Sequence, residues 1–375
     1  MQNLLQIIQD LIGCESVSPN DGKSLQYIQN FLNKLGFSCQ IMQFEDVINL
    51  YAKLDNGGKN LCFAGHVDVV PAGDLSLWND NPFKMTTNDG RIYGRGIVDM
   101  KGAIGCFMHA VERFLATNKP DFSISFLLTS DEEAIAKYGT VKVLEQLEKQ
   151  NEKIDFCLIG EMTSKEKFCD CIKIGRRGSL NFNLEITGIQ GHVAYPTLII
   201  NPIHILSKIL AELSEIVLDN GNDYFEPSRL QITDFSSNNK AVNVCASKAN
   251  AQFNIRYNSE QNQKKLYDIV YKICLKYAKP DQIKLTYPHW NANYYASKKQ
   301  DFANIIADVV EKNYGYKPSI DTFGGATDGR FIANYCDNVA ELGFIENEAH
   351  KINESCSVDE IFAVENIYYG ILNIF

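Results

Sequence analysis

The N-terminal part of the chain alternates two periodicities. "MQNLLQIIQDLIG" places apolar residues at positions 4, 5, 7, 8, 11 and 12, the spacing that gives a helix one apolar face. "SLQYIQNFLNKLG" and "GAIGCFMHAVERFLATN" carry the same helical pattern, the second ending near Lys119-Pro120. Interleaved with them, "NLCFAGHVDVV", "FSISFLLTSDEE" and "IDFCLIGE" are short, nearly continuous apolar runs, as strands covered on both faces require. Strand and helix in alternation predict an α/β fold, a mainly parallel sheet flanked by helices. Ligands collect at the carboxyl ends of such strands.

Beyond about residue 177 the pattern changes. "GSLNFNLEITG" and "KANAQFNIRYN" alternate polar and apolar residues with period two, which predicts antiparallel strands with one solvated face. "NPIHILSKILAELSEIV" between them reads as a helix; later "DFANIIADVVEKNYG" resumes a helical pattern and "NVAELGF" supplies a short strand. The expected organisation is an α/β domain formed by 1–176 and 288–375, interrupted by a smaller α+β domain at 177–287.

Composition narrows the function. With 375 residues, 45% of them hydrophobic, the chain is long enough for two domains and a substantial core. The balance of 36 Lys+Arg against 46 Asp+Glu, a net −10, argues against a sequence-independent hold on nucleic acid or an anionic membrane. A small-molecule substrate is expected instead. No basic residue precedes Lys23, so the first helix is not a signal peptide. No apolar stretch approaches the ~20 residues that cross a bilayer. Eleven cysteines, odd in number and without a regular framework, suggest reduced thiols and a cytoplasmic protein. The close pair Cys169 and Cys171 has no further Cys/His cluster near it in sequence and reads as structural.

The chemistry begins at His66 and Asp68, set inside an apolar strand where an uncompensated ionisable pair is costly. Asp99 in "RIYGRGIVDMKGA", Glu132 and Glu133 in "LLTSDEEA", Glu161 in "LIGEMT" and His350 in "NEAHKINE" are of the same kind. Imidazole and carboxylate without thiolate suit a catalytic zinc site. Five such ligands exceed what one open tetrahedral zinc uses; two ions would take all five if one carboxylate bridged. Such a pair can polarise a carbonyl and acidify a water. Of the adjacent Glu132 and Glu133, one can bind metal while its neighbour accepts the water's proton. Asp68 is expected to accept the second imidazole N–H of His66 and fix its tautomer. "GRG" and "FGGATDGR" lack the P-loop lysine and the dinucleotide spacing, so no nucleotide is expected.

Taken together, "GHVDVVP", "WNDNPF", "YGRGIVDMKG", "TSDEEAIAKYGT", "IGEMTS", "GRRGSLNFNLEITGIQGHVAYP", "NPIH", "GGATDGRF" and "AHKINE" resemble the dinuclear zinc aminoacylase/carboxypeptidase (M20) family nearly end to end. The resemblance implies a zinc-exopeptidase-like fold and two Zn2+ per subunit, with Co2+ as a possible substitute. Asp99 would bridge the ions, with His66 and Glu161 on one, Glu133 and His350 on the other, and Glu132 as general base. It also implies a cis peptide after Asp99, and an insert that serves as lid and dimerisation domain. His192 would then reach the active site of the partner in a homodimer and donate to the developing oxyanion.

Arg176, Arg177, Ser179, Tyr195, Asn243, Arg256 and Gly325 resemble the family's substrate contacts, and guanidinium forks suit carboxylates. Read structurally, "GRRG" could equally be a hairpin with two exposed arginines. The implied reaction is hydrolysis of an N-acyl amino acid. N-succinyl-LL-2,6-diaminopimelate is the first candidate, on the route to lysine, and an N-acetylornithine-like compound the alternative. Three departures from the family pattern stand out: Ala326 replaces a hydroxyl, Glu346 an asparagine and Met162 a proline. None falls on an expected ligand.

Overall fold

The structure, a computed structural model, describes residues 3–288 and 291–375. The chain divides into two compact units. The first comprises Met1–Gly175, Ala296–Thr322 and Thr327–Phe375; the second comprises Arg176–Tyr295 and Phe323–Ala326.

Among the described residues, the first unit holds an eight-stranded sheet. Its strands run in the order Ser38–Phe44, Val47–Leu54, Ser123–Thr129, Asn60–His66, Phe156–Ile159, Val339–Glu341, Cys171–Lys173, Ser319–Asp321. The four central strands are parallel to one another. The apolar runs anticipated from sequence are these central strands: every residue of Ser123–Thr129 and of Phe156–Ile159 is buried. An unpredicted hairpin, Ser38–Phe44 with Val47–Leu54, extends one edge antiparallel.

The helices Leu4–Gly13, Lys101–Leu115, Asp301–Tyr314 and Val358–Leu372 bury their apolar faces in the same core. Local signals set their ends. Asn3 accepts from the Leu5 N–H at 3.0 Å, Ser357 from that of Glu360 at 3.1 Å, and Gly315 at φ 74 stops its helix. At the centre Phe107 stacks on Phe63 with ring centroids 4.4 Å apart. It meets Phe126 and Tyr368 edge-on.

Register decides where the chemistry emerges. His66 lies opposite Thr129, and Ala64 and Glu341 both lie opposite Ile159. Strand ends that are level and parallel deliver His66, Glu161 and the segments after Thr129 and Glu341 to one edge of the sheet.

The second unit is an antiparallel sheet in the order Arg229–Ser236, Lys248–Tyr257, Gly178–Thr187, Ile283–Thr286. Its period-two pattern is realised as predicted: Leu180, Phe182, Leu184 and Ile186 are buried with Ala249, Ala251, Phe253 and Ile255. The helices Pro202–Ser214 and Gln263–Leu275 contribute Leu206, Ile209, Leu213, Leu266 and Val270 to the same cluster. This unit runs on past residue 287 to Tyr295. Ala292 accounts for part of the extension, exchanging main-chain hydrogen bonds with Ser179 at 3.0 and 2.9 Å.

Candidate active site

In the first unit the donors meet in two groups, His66 with Asp99 and Glu161, and Asp99 with Glu133 and His350, each with its ligand atoms within 4.8 Å of one another. Asp99 is common to both. Its Oδ1 lies 3.0 Å from His66 Nε2 and its Oδ2 2.9 Å from His350 Nε2. Glu161 Oε1 stands 3.7 Å from His66 Nε2, and Glu133 Oε1 2.9 Å from His350 Nε2. His66, Asp99 and Glu161 are buried, whereas His350 is exposed and Glu133 lies between. The Asp99-Met100 peptide is cis, and His350 adopts φ 63.

The electrostatics of the two groups favour positive charge beside the carboxylates. Burial alone would depress the His66 imidazolium, but the hydrogen bond and charge of Asp99, then Glu161 and Asp68, hold its pKa well above the ordinary value. Hydrogen bonds to Asp99 and Glu133 raise His350 to about 10. Burial disfavours the Asp99 anion, yet the two imidazoles overcome it and hold that carboxyl below its usual range. Carboxylates packed this closely on imidazole nitrogens are held together by protons or by metal. The donor set, nitrogen and oxygen with one carboxylate offering an oxygen to each side, fits a pair of divalent ions.

One expectation from sequence is corrected. The strand ends at His66, and the group nearest His66 Nδ1 is the main-chain carbonyl of Asp68, at 2.8 Å. The Asp68 carboxylate stands off at 3.6 Å. It turns instead to the N–H groups of Glu132 and Glu133, at 3.3 and 3.2 Å. The carbonyl therefore fixes the tautomer, and the carboxylate fixes the loop bearing the two glutamates.

That loop is not a strand end, since the strand stops at Thr129. Asp131 ties it down by accepting from the N–H groups of Ala136, Lys137 and Tyr138. Glu132 is partly buried. Its carboxyl is pushed well up by desolvation, against the pull of His66 and with Glu161, Asp328 and Glu133 adding to the rise.

The second unit gathers the polar candidates. Arg176 and Arg177 are 3% and 8% exposed, so "GRRG" is not a hairpin with free arginines. Arg176 Nη1 donates to the Phe323 carbonyl at 3.1 Å, and the Arg177 guanidinium lies 5.5 Å from the Phe323 ring. Gly324 has φ +126, and a Cβ there would collide with Arg176 Nη1, so only glycine lets the loop pass over the guanidinium. Nothing lies within 4 Å of the Cβ position of Gly325.

Arg256 pairs across the sheet with Ser179, and its guanidinium is lowered by burial and by the neighbouring charge of Arg177. Asn254, which sequence reasoning missed, donates to the Ser179 hydroxyl at 2.9 Å. Apart from these, His192 is exposed in a short pairing with Val244. Its Nδ1 accepts from the Ala194 N–H at 3.1 Å, and its ring lies 5.7 Å from that of Tyr195. The Asn243 carbonyl accepts from Val193 N–H at 3.2 Å, so His192, Tyr195 and Asn243 belong to one exposed corner.

Comparison with known proteins places these features in context. Residues 62–374 match the model of peptidase family M20/M25/M40. The chain is 44% identical over 377 residues to a succinyl-diaminopimelate desuccinylase of Rickettsia canadensis (strain McKiel), covering 98% of both chains. It is 42% identical over 369 residues to one of Ehrlichia canis (strain Jake), covering 97% of this chain and 96% of that one. Among solved structures, an M20 family metallo-carboxypeptidase from Sulfolobus solfataricus superimposes with TM-score 0.80 at 18% identity, covering 99% of each chain. A dinuclear metal-binding M20 peptidase from Bacillus subtilis superimposes with TM-score 0.71 at 13% identity, covering 99% of this chain and 97% of that one.

Proposed function

The chain belongs to peptidase family M20/M25/M40 and is a hydrolase of amide bonds; from that premise we propose that it hydrolyses N-succinyl-LL-2,6-diaminopimelate to succinate and LL-2,6-diaminopimelate. The observation that carries the chemistry is Asp99, whose two oxygens each face a different imidazole within 3.0 Å. The names of the full-length relatives carry the substrate.

His66, Asp99 and Glu161 would hold one zinc, and Asp99, Glu133 and His350 the other. Zinc bound there would supply Lewis acidity to the amide carbonyl and to a water. Glu132 takes the proton of the attacking water and returns it to the leaving amine; its backbone N–H is already fixed by Asp68. Arg176, Arg177 and Arg256 bind the carboxylates of the substrate, with Ser179, Tyr195, Asn243 and Gly325 as further contacts.

The second unit acts as lid and dimerisation domain, and a second copy of the chain supplies His192 to the carbonyl. What supports this is the tautomer: with Nδ1 accepting from Ala194, Nε2 carries the hydrogen and points a donor outward from an exposed residue. A cytoplasmic site of action suits the eleven cysteines, all of them free thiols, and no helix among the described residues is long and apolar enough to cross a membrane.

Two positions favour a second reading, hydrolysis of an N-acetylornithine-like compound. Ala326 offers no hydroxyl, and Glu346 sets a carboxylate where the related pattern has an amide. Succinyl and acetyl amides of diaminopimelate and ornithine, assayed with added zinc, decide between the two. Preference for an acetyl substrate rejects the first reading. Glu132→Gln should retain zinc near two per chain while turnover falls by about 10²–10⁴-fold; retained turnover removes Glu132 from its role.

A further inference from the structure

Asp99 can offer one oxygen to each metal group only if its backbone is held in one orientation. What holds it is a buried ion pair outside the donor set. Glu354 is 0% and Arg95 2% exposed, and Arg95 Nη1 donates to Glu354 Oε2 at 2.7 Å. The same Oε2 accepts from the Gly96 N–H at 3.1 Å. Glu354 Oε1 accepts from the N–H groups of Val98 at 2.9 Å and Asp99 at 3.3 Å. One carboxylate thus collects the main-chain donors of the segment that ends at Asp99, with Gly96 at φ 85 turning its N–H inward. A loop so wrapped on an anion has its backbone direction set by that anion.

The guanidinium works on the opposite side. Arg95 donates to the carbonyl of Lys351 at 3.2 Å and, at 3.5 Å, to those of His350 and Pro71. His350 itself sits at φ 63, a conformation that an L-residue keeps only when its surroundings impose it. The ion pair therefore ties together the segment following His66, the segment bearing Asp99 and the segment bearing His350. None of these links involves a ligand atom.

We propose that Arg95 and Glu354 are positioning residues: Glu354 aims Asp99 at both metal groups at once, and Arg95 presents His350 to the second. This rests on the reading that the two groups hold metal, and it goes beyond it by assigning unequal effects to the two members of the pair. Glu354→Gln preserves volume but replaces an acceptor oxygen with an NH2 that faces N–H donors. Both sites lose Asp99's orientation together. Arg95→Lys keeps the charge, so Glu354 still organises residues 96–99, but loses the fork that reaches the carbonyls of Lys351, His350 and Pro71.

The test is a zinc competition titration of the full chain after chelator dialysis, with the two sites assigned from His66→Ala and His350→Ala, alongside thermal melts of the metal-free proteins. Expected are losses of about 10–100-fold at both sites for Glu354→Gln, and for Arg95→Lys a loss confined mainly to the site containing His350. A purely structural role would lower the melting temperature of the metal-free variants and leave both dissociation constants of the folded protein as in wild type. Glu354→Gln that folds and binds zinc at both sites as wild type does overturns the proposal. So does Arg95→Lys that weakens both sites equally or neither, and that variant decides alone should Glu354→Gln not fold. Wild-type protein that binds no zinc overturns the metal reading itself, and this one with it.

Discussion

Loading the metal groups should release protons in a countable number. In the metal-free chain His350 has a pKa of about 10 because it is hydrogen-bonded to Asp99 and Glu133. His66 is likewise held well above its ordinary value by Asp99, against the effect of burial. Both rings are therefore protonated at pH 7, and a metal ligand must be neutral imidazole. Asp99, held low by those same rings, is already ionised and releases nothing. Two zinc ions should displace about two protons at pH 7, and Glu132, whose carboxyl is pushed up by burial, adds at most one.

Competition from the His350 proton alone weakens zinc by a ceiling of ~10³-fold at pH 7. The ring is 47% exposed, so solvent screening brings this down toward ~10²-fold. Calorimetric titration in buffers of different ionisation enthalpy reads the proton number directly, and repeated titrations from pH 6 to 9 should show affinity rising throughout. Fewer than about one proton per pair of ions, or affinity independent of pH, would refute the reasoning. The same shift bears on the metal-free fold. His350 contributes stability that is complete below its unfolded pKa near 6.5 and is lost as pH rises through about 10.

Three further outcomes follow from other parts of the structure. Gly324→Ala drives a Cβ into Arg176 Nη1, so steady-state kinetics should show KM for the succinylated substrate rising at least about tenfold, the loss of roughly one charge-assisted hydrogen bond, with zinc content unchanged. His192→Ala should lower kcat by about 10²–10³-fold without loss of zinc, and unchanged turnover leaves it a surface residue. Phe107→Ala removes a fully buried ring stacked on Phe63 and should cost about 3–5 kcal/mol in urea unfolding; a cost under about 1 kcal/mol would mean that the core refills the cavity.

What the sequence made legible was decided by pattern strength. Buried strands between helices announce themselves by continuous apolar runs, and the second unit by its clean alternation. The hairpin Ser38–Phe44 with Val47–Leu54 escaped because its two-residue turn is Glu45-Asp46, with Glu45 itself at φ 54, where the usual signal is Asn-Gly or Asp-Gly. The C-terminal helix Val358–Leu372 buries Glu360 and Glu365 on its inner face and exposes Phe362 on its outer one, so its polarity does not follow its burial and blurs the amphipathic stripe. In the site, His66, Asp99, Glu133, Glu161 and His350 were nameable because their side chains carry the chemistry.

In the first unit the residues that sequence reasoning misjudged or missed, Asp68, Arg95 and Glu354, act on backbone, and a contact to backbone leaves no trace in residue identity at the other end. Asp68 illustrates why. At two residues beyond His66 its carbonyl is the closer acceptor for Nδ1, which releases its carboxylate to hold Glu132 and Glu133. The carboxylates of this centre thus divide their work: Asp99, Glu133 and Glu161 face the imidazoles of His66 and His350, while Asp68, Asp131 and Glu354 satisfy the main-chain N–H groups of nearby loops. An acid bound to N–H groups is spent on geometry, and an acid left facing imidazole is available for metal. That division is what converts these six acids, with Glu132 beside them, from mutual repulsion into an ordered site.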